Sequence, residues 1–183
     1  MNKYELTVWN ELSDRERLLS LMLDKLSWLF AEDRAKEADT ICKTIKLMFP
    51  KIKDVVMASS MFDGLWKAKR YSEAVRIYQK ADRPFWRSQE VGKYYEGQGL
   101  IKKAMAEYER LVEEYLKMKI LPLPRGPVEL FKLGKWYVEK NPSKAKKYLK
   151  LYLRAEKEDS GTGFGIQYKK EALSLLKRHK WKG

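Results

Sequence analysis

The sequence holds one cysteine, Cys42, and one histidine, His179, in 183 residues. A lone cysteine forms no internal disulfide, and the two together leave too few soft ligands for a typical zinc site. Disulfide scaffolds and zinc fingers are therefore excluded. Long apolar runs are missing as well, since none approaches the roughly 20 residues that span a bilayer. Residues 1–12 interleave Lys3, Glu5, Asn10 and Glu11 with their apolar residues and lack the continuous apolar stretch of a secretory signal. A soluble, cytoplasmic protein is the expectation. Strand-like alternation is also absent, which leaves helices to carry the 44% of residues that are hydrophobic, enough to bury a core.

Negative charge is scarce: 25 Asp and Glu face 39 Lys and Arg, a formal net charge of +14. The imbalance is not uniform. Residues 1–50 carry 8 basic and 9 acidic side chains, residues 51–100 carry 10 and 6, and residues 101–183 carry 21 and 10. Any electrostatic function belongs to the C-terminal half.

Apolar residues recur at helical spacing almost throughout, as in Leu18, Leu19, Met22, Leu26, Leu29 and Phe30. Ser13-Asp14-Arg15-Glu16 has the form of a capping box, which predicts a helix start there. Pro142-Ser143 similarly precedes a predicted helix over Lys144 to Lys157. Breaks fall at Pro50, Arg83-Pro84, Gly97-Gln98-Gly99, Pro122 to Pro127, Asn141-Pro142 and Ser160 to Gly165. Eight or nine helices with short joints follow.

The helices repeat. Val91-Gly92, Tyr95, Gly99, Ala104 and Tyr108 place small residues where two helices cross, with large apolar ones beside them. The order returns in Leu130, Leu133-Gly134, Tyr137, Ala145 and Leu149, and again in Ala58, Met61-Phe62, Leu65, Tyr71, Ala74 and Tyr78. A fainter copy runs through Met22, Leu26, Leu29, Ala38, Cys42 and Pro50. The pattern resembles the tetratricopeptide repeat, a helix-turn-helix unit. Gly92 and Gly134 would let the second helix of a unit approach the first, and Ala74, Ala104 and Ala145 would serve the same crossing from the other side. The alanines Ala38, Ala74, Ala104 and Ala145 lie 36, 30 and 41 residues apart rather than the family's usual spacing of about 34. Lys25 stands where the pattern has Leu, and Phe62 replaces the glycine. The resemblance implies an all-α fold, a right-handed α-α superhelix in a single domain over 1–183. Its repeats would cover about 14–50, 51–84, 85–121 and 127–158, with a capping helix at about 165–181. Tyr4, Leu6, Val8 and Trp9 would cover the other end.

The same resemblance implies a non-catalytic scaffold or adaptor that takes a peptide or helix of a protein partner in a concave groove. Groove positions carried over are Ser59, Asp63, Trp66 and Lys67, then Trp86, Gln89, Lys93 and Glu96, then Phe131, Lys132 and Lys135. Trp66, Trp86 and Phe131 are candidate anchors, although aromatics at this spacing more often belong to the core. Lys93 and Lys135, at equivalent positions of adjacent units, would favour an acidic ligand. The family's carboxylate clamp needs a Lys and an Asn one turn apart. Gln89 with Lys93, and Phe131 with Lys135, do not reproduce it.

Within Ser143 to Glu158, Ala145, Tyr148, Leu149 and Tyr152 form an apolar face, while Lys147, Lys150, Arg154 and Lys157 line another. This basic stripe, extended by Lys177 to Lys182, carries the alternative reading of a nucleic-acid (RNA) binder. The glycine-rich Ser160 to Gly165 follows a helix rather than a strand and lacks a P-loop ending, so it reads as a joint. No acid/base pair or nucleophile constellation is recognisable, and neither catalysis, a metal nor a cofactor is expected.

Overall fold

The computed structural model describes residues 13–119, 128–158 and 168–178, with side chains to residue 155 in the second segment. Every regular element among them is helical. In order these are α1 (Asp14–Ala31), α2 (Ala35–Met48), α3 (Asp54–Lys67), α4 (Tyr71–Lys80), a 3-10 turn (Phe85–Arg87), α5 (Ser88–Gly97), α6 (Ile101–Lys117), α7 (Val128–Tyr137), α8 (Pro142–Glu158) and α9 (Lys169–Arg178). The chain divides after Arg87 into two compact units.

In the first unit, α1 packs against both α2 and α3, and α3 packs against α4. The predicted capping box opens α1: the Glu16 amide donates to the Ser13 hydroxyl at 3.3 Å and the Ser13 amide donates to the Glu16 carboxylate at 2.8 Å. Leu26, Leu29, Ala38, Ile45, Phe49 and Met57 form one core cluster, and Phe62, Leu65, Ala74, Val75 and Tyr78 are also buried. Each fully buried leucine contributes about 2 kcal/mol by its removal from water.

In the second unit α5 packs on α6, α6 on α7, α7 on α8, and α9 on both α7 and α8. Gly92 and Gly134 act as the sequence predicts. A Cβ on Gly92 would lie 2.4 Å from the Tyr108 ring, and one on Gly134 would lie 2.6 Å from Leu149. Ala104 and Ala145 are fully buried at these crossings. The start of α8 differs from the sequence reading. Its cap is Asn141, whose side-chain oxygen accepts from the Lys144 amide at 3.0 Å. Pro142 is therefore the first helical residue, where its missing N–H costs nothing.

The turns inside the first three helical pairs are copies of one another. Asp33, Lys69 and Gly99 adopt left-handed φ values of 59°, 61° and 72°. The next residue in each turn then reaches back with its amide: Arg34 to Leu29, Arg70 to Leu65 and Leu100 to Tyr95, all at 2.9 Å. This is the helix-ending geometry that glycine satisfies without strain. Only the third copy has the glycine. Lys69→Gly should therefore raise stability by about 0.5–1 kcal/mol, and Gly99→Ala should lower it by about as much. Urea denaturation of the two variants checks both signs.

The residue after each left-handed position opens the next helix. Arg34 grips Glu37 through Nε and Nη2, both at 2.6 Å, and Arg70 grips Glu73 in the same way at 2.7 and 2.6 Å. Arg70 also donates to Asp33 at 2.7 Å, tying the second turn to the first.

Candidate functional site

The positions predicted to line a groove fall into two sets, one in each unit. In the first unit α3 and the 3-10 turn bring Ser59, Asp63, Trp86 and Arg87 together. The Trp86 indole and the Arg87 Nε both donate to the Ser59 hydroxyl at 3.2 Å, and Arg87 forms an ion pair with Asp63. Trp86 remains 39% exposed, and Lys67 is exposed. Trp66 is half-buried, stacked on Phe62 with ring centres 5.0 Å apart and packed edge-on against Tyr71 at 4.7 Å.

In the second unit, Gln89 on α5 donates to Glu129 on α7 at 2.9 Å. Glu96 accepts from the Tyr108 hydroxyl at 2.9 Å and from the Lys132 ammonium. Lys93 is exposed, and its charge acts on both carboxylates. Lys135 is paired with Glu171 at 2.9 Å. Two expectations need correction here. Phe131 is not an exposed anchor: it is 3% exposed, stacked on Tyr168 at 4.5 Å and packed against Tyr152. The covering Tyr168 immediately precedes α9, and repeat spacing alone gives no signal of that cover. Of the pair expected to favour an acidic ligand, Lys135 is already held by Glu171 whereas Lys93 is exposed; the groove position Lys132 is held by Glu96.

The carboxylates of this unit have opposed electrostatics. Glu129 is 1% exposed, and its Oε2 accepts no hydrogen bond among the described residues. Burial pushes its carboxyl up against the pull of Gln89 and of the lysines. Glu109 shows the opposite balance. Burial pushes it up, but donors outweigh that: Lys144 at 2.7 Å, Tyr137 at 2.6 Å and Tyr148 at 2.8 Å hold it below the ordinary carboxylate range. Glu96 is held low in the same manner by Lys132 and Tyr108. Desolvation and these carboxylates together push the Tyr108 and Tyr148 hydroxyls up.

One feature of the first unit lay outside the sequence reading. A cleft of about 320 Å³ opens between α2 and α4. Cys42 forms one wall, Ile77 and Ala81 the other, and Met57, Ala58 and Met61 of α3 the floor. Its rim carries Lys80 and the Lys46–Asp54 ion pair, 3.1 Å long. A second cleft of about 240 Å³ shares Ile77 and continues over Leu29, Phe30 and Leu65 toward Arg34, Arg70 and Arg76. Cys42, Ala58 and Met61, read from sequence only as members of the repeat pattern, line this cleft together with Met57, Ile77 and Ala81.

On α8, Lys147, Lys150 and Arg154 are exposed opposite the buried Ala145, Tyr148, Leu149 and Tyr152, as the periodicity predicts. The side chain of Lys157, the segment Ser160 to Gly165, His179 to Lys182, and the N-terminal Tyr4 to Trp9 lie outside the described residues. Among the described residues no three metal-ligating side chains gather, and no helix is long and apolar enough to cross a membrane. The sequence matches no protein-family model, and no curated protein or solved structure matches it.

Proposed function

We propose that the chain is a non-catalytic interaction module that captures a peptide or amphipathic helix of a protein partner, and that the capture site is the α2–α4 cleft of the first unit. The observation that carries this reading is the cleft itself: an apolar floor of Met57, Ala58 and Met61 beneath a charged rim. A helix laid in a groove needs this combination, with apolar anchors below and polar groups at the edge. Methionines suit such a floor because their unbranched side chains repack around different partners. A tetratricopeptide-like right-handed superhelix of four helical pairs belongs to the same reading. The repeated left-handed turns, the buried alanines and the helix-crossing glycines support it.

The test is affinity purification from nuclease-treated extract of the native cell, quantified by mass spectrometry. Ala58→Glu and Met61→Glu each place a carboxylate in the cleft and should reduce capture at least tenfold. Circular dichroism checks that the variants remain folded. Trp86→Ala should leave capture unchanged. Loss with Trp86→Ala and retention with Ala58→Glu would move the site to the face that carries Ser59 and Asp63.

A further inference from the structure

Several acids of the second unit are turned inward or held by cations, while Glu113 and Glu139 stay exposed. Glu107 and Glu129 are 3% and 1% exposed. Glu96 and Glu109 are half-buried and occupied by tyrosine hydroxyls and lysines. Glu114 is held by Lys117 and Glu171 by Lys135. Four exposed lysines stand outside this arrangement. Lys147 and Lys150 on α8, and Lys170 and Lys177 on α9, are exposed, and no carboxylate among the described residues pairs with any of them.

From this arrangement we infer that the α8–α9 surface docks a nucleic-acid strand by its phosphodiester backbone, without reading sequence. Inward acids matter because a surface with interspersed carboxylates would repel phosphates as often as its lysines attract them. Here α8 and α9 together carry 10 Lys and Arg against 3 Glu, so the field over them is predominantly positive although Glu113 and Glu139 remain exposed. Lys147 and Lys150 lie about one turn apart along α8, a spacing suited to consecutive phosphates. Lysine is a point charge on a flexible stem, which fits backbone contact rather than bidentate reading of bases. This role is independent of the α2–α4 cleft, which belongs to the other unit.

The test is fluorescence anisotropy with a labelled single-stranded RNA of mixed sequence, titrated at several salt concentrations on the full chain. The wild type should show a steep linear fall of log K with log salt. A variant with Lys147, Lys150, Lys170 and Lys177 changed to Ala should bind at least tenfold more weakly at low salt. Its slope should be shallower by about 2–3, near 0.7 for each contact removed. The same number of exposed lysines removed from the first unit, at Lys36, Lys51, Lys53 and Lys67, should leave the slope nearly unchanged. An unaltered slope in the first variant, or an equal loss in the second, overturns the assignment. So does tighter binding to phosphatidylserine vesicles than to RNA at equal phosphate, which would assign the surface to a membrane. All eight positions are solvent-facing, and both variants should retain the wild-type circular dichroism spectrum.

Discussion

Gly64→Ala is expected to destabilise the first unit by about 3 kcal/mol or more, although alanine is the better helix former by about 1 kcal/mol. The cause is the crossing of α1 and α3. A Cβ at position 64 would stand 2.0 Å from the Ser27 carbonyl oxygen, 2.9 Å from the Ser27 carbonyl carbon and 3.0 Å from the Phe30 Cβ. The first two are backbone atoms of a helix and cannot rotate away, so relief requires α1 and α3 to separate. Separation in turn opens the contacts of Leu26, Leu29, Phe62 and Leu65, all buried in the same unit. Overpacking alone costs about 1–3 kcal/mol, and lost burial adds to it. Gly97→Ala is the matched control: nothing lies within 4 Å of its Cβ position, and a change of a few tenths of a kcal/mol is expected. Urea denaturation followed by circular dichroism separates the two. A Gly64→Ala chain as stable as wild type would mean that this helix crossing is not as close as described.

Glu109→Ala should cost about 3 kcal/mol at neutral pH, and the cost should shrink in acid. Glu109 accepts from two phenols and an ammonium, and Tyr148 is only 1% exposed. Its removal leaves a buried hydroxyl without its acceptor, a penalty of about 1–3 kcal/mol, and takes charge-assisted bonds from Lys144 and Tyr137 as well. The pH dependence follows from the direction of the shift. Because the folded-state carboxyl is held below the ordinary value of 4.5, its stabilising contribution is fully present above that value. It is lost as the pH falls through the folded-state value. Glu129 acts in reverse: its folded-state carboxyl is raised, so it burdens the fold increasingly as the pH rises from the ordinary value. Unfolding free energies measured from pH 3 to pH 8 should show the wild type and Glu109→Ala converging toward the acid end. A constant gap would remove the carboxylate's charge from the explanation.

Much of the architecture was legible because it rests on local chemistry. The capping box at Ser13 and the outward row of Lys147, Lys150 and Arg154 depend on residues a few positions apart, and the crossings at Gly92 and Gly134 join neighbouring helices of one pair. Gly64 carries no such signal because its crossing joins α1 to α3, two helices of different repeats, whereas the repeat pattern locates crossings within one pair. The Arg34–Glu37 and Arg70–Glu73 forks do have a visible signal, Arg-x-x-Glu-Ala, twice at a spacing of 36. It is easily passed over as surface charge. The inward acids were hidden for a related reason. Glu107 and Glu129 occupy helical positions that face the core, and only knowledge of their partners distinguishes them from solvated carboxylates. The candidate groove was legible as a set of helix positions but not as a chemical surface, since sequence spacing cannot show that Glu96 and Glu171 already hold Lys132 and Lys135.

Cys42 is the chain's single thiol and a wall of the α2–α4 cleft. Burial, reinforced by Asp39 and opposed by Lys46, pushes that thiol up, so little thiolate is present at neutral pH and alkylation is slow. The reaction should accelerate about tenfold per pH unit while the thiol remains mostly protonated. With no second sulfhydryl to compete, the rate of modification becomes a built-in clock for access to the cleft. A molecule seated over Met57 and Met61 stops the clock, whereas one held on the lysines of α8 and α9 leaves it running.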